Sequence, residues 1–132
     1  MSTRHAECSC GKLKIACEGE PLRVSICHCH ACQRRTGSPF GQQSRWPSDK
    51  VKLVEGTPTE YVRIGDEGGK ITFRFCGSCG STVYFEIDKM PNMIAVPVGA
   101  FADSSFPSPV FSMYHARKHP WVQVPECIEH MD

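Results

Sequence analysis

The stretch KITFRFCGSCGSTVYFEI, residues 70–87, decides how the whole chain is to be read. Ile71, Phe73 and Phe75 alternate with polar residues, so they share one face of an extended segment. TVYFEI, residues 82–87, continues as a second strand-like segment, and Cys76-Gly77-Ser78-Cys79-Gly80 stands between the two. Two thiolates three residues apart, with a small residue between and glycine after, let the backbone turn around a metal and donate N–H bonds to sulfur. A redox Cys-x-x-Cys normally opens a helix in a βαβ setting, where its thiolate is stabilised. Flanked by strands instead, this motif reads as a metal knuckle.

The same period-two alternation recurs on both sides. Leu13, Ile15 and Cys17 in KLKIACE share a face opposite Lys12, Lys14 and Glu18. RVSIC offers Val24 and Ile26, KVKLVEG offers Val51 and Leu53, and EYVRI follows after the turn Gly56-Thr57-Pro58. GDEGGK, residues 65–70, reads as a hairpin loop. Beyond residue 87, MIAVPV, VFSMY and WVQV complete the set, while ACQRRTG is the one plausible helix, stopped by Gly37. These segments predict a mainly β fold of short antiparallel strands, one zinc-containing domain over residues 1–132.

Composition narrows the function. The 132 residues include 11 Gly and 10 Pro, many turn formers for short strands, and the formal net charge is +1. No run of like charge exceeds a pair such as Arg34-Arg35, so nucleic acid has no electrostatic footprint and is not an expected partner. No segment is apolar enough to serve as a signal peptide or to span a bilayer, which makes a soluble cytoplasmic protein the default. Nine cysteines then require an explanation. A disulfide framework wants an oxidising compartment and an even count; in a reducing one, tight cysteine spacings point to metal.

Seven cysteines form three groups: Cys8 and Cys10 in ECSCG, Cys27, Cys29 and Cys32 in CHCHAC, Cys76 and Cys79 in FCGSCGS. The first and last groups are each followed by glycine, the middle one by Gln33. That difference suggests a closed four-thiolate site from Cys8, Cys10, Cys76 and Cys79. Cys27, Cys29 and Cys32 remain as three sulfur ligands, and three protein ligands with a vacant position is the pattern of catalytic zinc. The triplet could equally recruit His28, His30 or Cys17 and close a second structural site. Cys17 lies on an apolar face, as a buried thiol would, and His28 alternates with Cys27 and Cys29, away from a metal they share. His30 could be swung inward by a turn. Cys127 reads as a spare thiol, and His115, His119 and His130 as surface or loop residues.

Together, CSCG, CHCHACQRRTGSPFG, FRFCGSCGSTVYF and VPVGAFAD…FPSPVFSMYHARKHPWVQV resemble the glutathione-dependent formaldehyde-activating enzyme family, to which centromere protein V also belongs. The resemblance runs from about Cys8 to Val124. It implies a fold similar to that of methionine-R-sulfoxide reductases and two zinc ions per chain. Cys8, Cys10, Cys76 and Cys79 would hold the structural zinc; Cys27, Cys29 and Cys32 would hold the second. His30 departs from the pattern, since family members more often carry a small polar residue there. The implied activity is that of a carbon–sulfur lyase, condensing glutathione with formaldehyde to S-(hydroxymethyl)glutathione, with glutathione as co-substrate.

Three thiolates lower the Lewis acidity of zinc but preserve nucleophilicity at a fourth sulfur, so the expected role of the second zinc is thiolate carrier. Glutathione carries two carboxylates and one ammonium, and its pocket should offer cations. Arg34 and Arg35 are nearest in sequence, with Arg45, Arg74, Arg117 and Lys118 also available; Phe40 and Gln42 could line the same pocket. A non-catalytic zinc-stabilised binding module is the alternative. A thiol redox protein would need Cys17 or Cys127 as nucleophile, and neither has an activating neighbour in sequence.

Overall fold

The computed structural model describes residues 2–125 and 128–132. In chain order the strands are β1 (Thr3–Glu7), β2 (Lys14–Glu18), β3 (Arg23–Cys27), β4 (Gly41–Pro47), β5 (Val51–Glu55), β6 (Thr59–Ile64), β7 (Lys70–Phe75), β8 (Thr82–Ile87), β9 (Met93–Pro97), β10 (Phe111–Met113) and β11 (Glu129–His130). Among the described residues one α-helix, α1 (His30–Thr36), follows β3. At seven residues it is far too short to cross a membrane, and no described helix is long and apolar enough to do so. A three-stranded sheet, β1-β2-β5, packs with an eight-stranded sheet in the order β11-β10-β3-β4-β9-β8-β7-β6. Pairing is antiparallel throughout except where β10 lies parallel to β3 and to β11.

The alternation read in KLKIACE is what packs the two sheets together. Leu13, Ile15 and Cys17 are all buried, and they join Ala6, Trp46, Val83, Val96 and Phe101 in the main core. Strand β4 was not among the segments expected to be strands, because its residues are polar: Gln42, Gln43, Ser44, Arg45. The structure explains how such a sequence occupies the middle of a sheet. Ser44 Oγ donates to the Val96 carbonyl at 2.9 Å, and Trp46 Nε1 donates to Ser44 Oγ at 2.8 Å, so the buried polar atoms of this face are satisfied. Alternate residues of a strand face opposite ways. Trp46 therefore enters the core while Gln43 and Arg45 line a cleft on the other side.

Two expectations fail. Residues 121–124 form no strand: Val122 N–H is spent on the His119 carbonyl at 3.0 Å, and Lys118 Nζ donates to the Val122 carbonyl. Leu53 is 50% exposed, because β5 is an edge strand and only its Val51 end packs against the core.

Gly56 ends β5 at φ +92°, and a Cβ there would stand 2.1 Å from the Lys12 carbonyl oxygen. Neither the left-handed backbone nor that contact with backbone can be relieved by a side-chain rotation. Gly56→Ala is expected to cost about 3 kcal/mol, measured as a lowered denaturation midpoint with unchanged metal content.

Candidate functional site

Two tight turns bring the first and last cysteine pairs together. After β1, Gly11 N–H closes on the Cys8 carbonyl at 3.1 Å; between β7 and β8, Gly80 N–H closes on the Cys76 carbonyl at 2.7 Å. Both glycines are left-handed, at φ +80° and +82°, which is why glycine follows each pair. Leu13 N–H donates to Cys8 Sγ at 3.2 Å. Ser9 and Ser81 hydroxyls, 2.9 Å apart, lace the two turns together. The sulfurs of Cys8, Cys10, Cys76 and Cys79 all lie within 4.8 Å of one another. A tetrahedral zinc with sulfur at about 2.3 Å holds its ligands about 3.8 Å apart. Cys8 to Cys10 is 3.7 Å and Cys10 to Cys76 is 3.6 Å, so this set fits the ion. The Ser81 hydroxyl and backbone hold the Cys79 thiol down at about 5, toward the thiolate a metal needs.

The middle group assembles within one turn of chain. Cys27 ends β3, Cys29 is the N-cap of α1, and Cys32 lies in its first turn. Cys32 N–H donates to Cys29 Sγ at 3.3 Å, a capping bond made by sulfur where oxygen is usual. Gly37 closes the helix at φ +70°, its N–H on the Gln33 carbonyl at 2.8 Å, so the helix and its stop are where the sequence places them. The three sulfurs also lie within 4.8 Å of one another, with the residues 2%, 6% and 9% exposed. Hydrogen bonds from Cys27 and Cys32 pull the Cys29 thiol down to about 2, while that sharing and burial push Cys27 well up. Three buried thiols so close cannot all ionise without a cation among them, which is the donor chemistry of a metal site.

None of the proposed fourth ligands joins the triplet. His28 is fully buried and turned away, its Nε2 on Ser112 Oγ at 2.9 Å, in keeping with strand alternation. His30 is exposed at the first position of α1. Cys17 belongs to the main core, where burial pushes its thiol up to about 12, so it is neither ligand nor ready nucleophile. Cys127 lies outside the described residues. His115 and His119 are more engaged than surface residues would be. His115 Nδ1 meets Ser112 Oγ at 2.9 Å and its ring stacks on His130 at 4.5 Å, while His119 Nε2 meets Gln33 Oε1 at 3.1 Å. They buttress the segment behind the triplet; His130 itself is exposed.

The triplet opens onto a cleft of about 190 Å3. Its floor is apolar, with Phe73, Phe85 and Ala95 forming a small cluster of their own. Gln43 and Arg45 from β4, Arg35 from α1 and Arg63 from β6 supply the polar groups. The β6–β7 hairpin tip reaches across it: Tyr114 donates to Glu67 Oε1 at 3.0 Å, Arg117 to Asp66 Oδ2 at 2.9 Å and Lys89 to the Glu67 carbonyl at 2.7 Å. Tyr114 holds a left-handed backbone at φ +52°, and burial with the Glu67 bond keeps its phenol protonated up to about 12.

Of the cations considered from sequence, Arg35 and Arg45 line the cleft. Arg74 is held by Glu60 and Glu86, Arg117 by Asp66, Lys118 bonds the Val122 carbonyl, and Arg34 is exposed on an adjoining groove. Phe40 packs edge-on against His28 at 6.3 Å, and Gln42 pairs with Ile26 in the sheet; neither lines the cleft. Gln43 and Arg63 were not singled out from sequence. Gln43 sits beside Gln42 in a stretch already suspected, whereas Arg63 in EYVRI carries no local signal.

Comparison with known proteins places the fold and the family. The crystal structure of a Rhodobacter sphaeroides protein superimposes with a TM-score of 0.57 at 24% identity, over 73% of this chain and 85% of that one, a likeness of fold alone. No curated protein matches the chain. The family model of the glutathione-dependent formaldehyde-activating enzyme matches residues 3–117, which include every cysteine of both clusters. By that match over most of its length, the chain belongs to the glutathione-dependent formaldehyde-activating enzyme family.

Proposed function

We propose that the protein is a zinc-dependent carbon–sulfur lyase that joins glutathione to formaldehyde reversibly. In this reading Cys8, Cys10, Cys76 and Cys79 hold a structural zinc, and Cys27, Cys29 and Cys32 hold a second zinc that takes a substrate thiolate. The observation that carries it is the triplet itself: three sulfurs within 4.8 Å at the edge of a cleft, with no fourth His, Cys, Asp or Glu ligand atom grouped with them among the described residues. Zinc bound there would keep an incoming thiol ionised near neutral pH.

The rest of the chemistry falls to the chain. The reaction forms a bond between the glutathione sulfur and the carbonyl carbon. The carbonyl π pair moves to oxygen, the thiol proton leaves to solvent, and a proton from solvent completes the new hydroxyl. No electrons are gained or lost, and the reverse reaction breaks the same bond. Phe73, Phe85 and Ala95 keep water from the reacting end. Gln43 is 7% exposed, and its Oε1 is buried with no partner. A buried acceptor left unpaired costs about 1–3 kcal/mol. The hydroxyl of the hydroxymethyl adduct is a donor that relieves that cost as it forms, so in this reading Gln43 stabilises the oxygen while it is being protonated. At 190 Å3 the cleft is below the roughly 300–1,000 Å3 usual for pockets that enclose a ligand. It takes the reacting end of a tripeptide and leaves the rest outside.

Because glutathione and formaldehyde also combine unaided, the test is exchange at equilibrium. Nuclear magnetic resonance exchange spectroscopy on 13C-formaldehyde and glutathione should show faster interconversion with the zinc-loaded protein than with buffer. Gln43→Leu should reduce the acceleration by about tenfold, for the loss of one hydrogen bond in a dry site. Exchange no faster than in buffer would leave a zinc-stabilised binding module as the better description.

A further inference from the structure

We infer that Arg63 and Arg35 form a carboxylate clamp that makes the cleft selective for thiols bearing a carboxylate. The inference rests on the reading of the triplet as a thiol site and adds the feature that chooses among thiols.

The two guanidiniums are held but unspent. Arg35 and Arg63 each stack on Phe73, with the guanidinium carbon 5.5 Å from the ring centroid in both cases, and Arg35 also stands 5.3 Å from Phe85. Stacking fixes the plane of a guanidinium and leaves its N–H fork at the edge free for a carboxylate. Neither arginine has a salt bridge among the described residues, and Arg45 of the same cleft has none either, whereas Arg4, Arg74 and Arg117 all do; what sets Arg35 and Arg63 apart is their place over Phe73. Arg35 also keeps a buried Nη2 without a hydrogen-bond partner. Both charges stand beside the same ring, so an anion near it is attracted by each.

Their position is the second observation. Arg35, Arg63 and Phe73 line both the cysteine cleft and an adjoining groove that adds Arg34 and Tyr61. A ligand with its sulfur at the triplet would leave the cleft past these two arginines. A bidentate arginine contact with a carboxylate there is charge-assisted and geometrically specific. Asp66 and Glu67, which also line the cleft, are held by Arg117 and Tyr114, so the carboxylates of the cleft are engaged while its arginines are not.

The experiment measures calorimetric affinity of the zinc-loaded protein for glutathione, for glutathione diethyl ester and for 2-mercaptoethanol. Wild type is compared with Arg63→Gln and Arg63→Lys, and zinc per chain is determined for each. Wild type should bind glutathione at least tenfold more tightly than the diester. Arg63→Gln should weaken glutathione about tenfold and leave 2-mercaptoethanol unchanged, with Arg63→Lys between, since it keeps the charge and loses the fork. Zinc content should be the same in all three proteins. If the diester binds wild type as tightly as glutathione, or Arg63→Gln binds glutathione like wild type while 2-mercaptoethanol still binds, the clamp is overturned and the thiol site stands. If Arg63→Gln loses zinc, the guanidinium serves the charge of the cysteine cluster and the clamp is again overturned. If wild type binds no thiol at all, the reading of the triplet falls and takes the clamp with it.

Discussion

Cys76→Ser is expected to leave the chain unfolded under conditions where the wild-type protein is folded. Cys76 is 4% exposed and packs in the main core with Trp46 and Val83, so serine there puts a hydroxyl among apolar groups without supplying a thiolate. Its partners Cys8 and Cys10 lie in the turn after β1, on the three-stranded sheet, while Cys76 and Cys79 lie between β7 and β8 of the larger one. An ion shared by these four would therefore tie the two sheets across a long stretch of chain. Structural zinc contributes about 10–16 kcal/mol in small zinc-folded peptides, while a domain of this size is stable by about 5–15 kcal/mol in total. Losing a contribution of that size removes the margin. Far-ultraviolet circular dichroism with zinc analysis checks this: strand signal lost in Cys76→Ser, against retained signal if the four cysteines hold no metal.

Cys32→Ser has the opposite profile, with function lost and fold kept. Cys27, Cys29 and Cys32 form a small cluster with Ala31, Met113 and Tyr114, separate from the main core. Serine replaces cysteine at nearly constant volume, so destabilisation should stay near 1–2 kcal/mol. Zinc should fall from about two per chain to about one, since a hydroxyl does not replace a thiolate. Acceleration of the glutathione–formaldehyde exchange should drop to the buffer rate. A variant that kept both metals and full acceleration would remove Cys32 from the site.

Much of this was open to a reading of the residues, and the exceptions share a cause. Period-two alternation marks a strand only when one face is apolar, as in β2 and β7. Strand β4 hides because its buried Ser44 and Trp46 satisfy each other and the Val96 carbonyl, a solution visible only when β9 is alongside. WVQV has the right alternation and the wrong outcome, because the Val122 N–H is used in a local turn around Pro120. The four-cysteine set was legible because a glycine follows each of its pairs, where the tight turn takes a left-handed backbone, and the triplet because Gln33 follows it instead. The cleft was legible only in part. Arg35 adjoins the triplet in sequence, but Arg63 reaches the cleft through the pairing of β6 with β7, a relation between distant segments that no local pattern encodes.

The central claim is that the triplet holds a metal whose coordination is open to a thiol. It is tested most directly by replacing zinc with cobalt(II), whose visible spectrum reports tetrahedral thiolate ligation, and titrating with glutathione. The account predicts a spectral change that saturates at one glutathione per chain and is absent in Cys32→Ser, with the remaining cobalt signal from Cys8, Cys10, Cys76 and Cys79 undisturbed. A wild-type spectrum that does not respond to glutathione would contradict it.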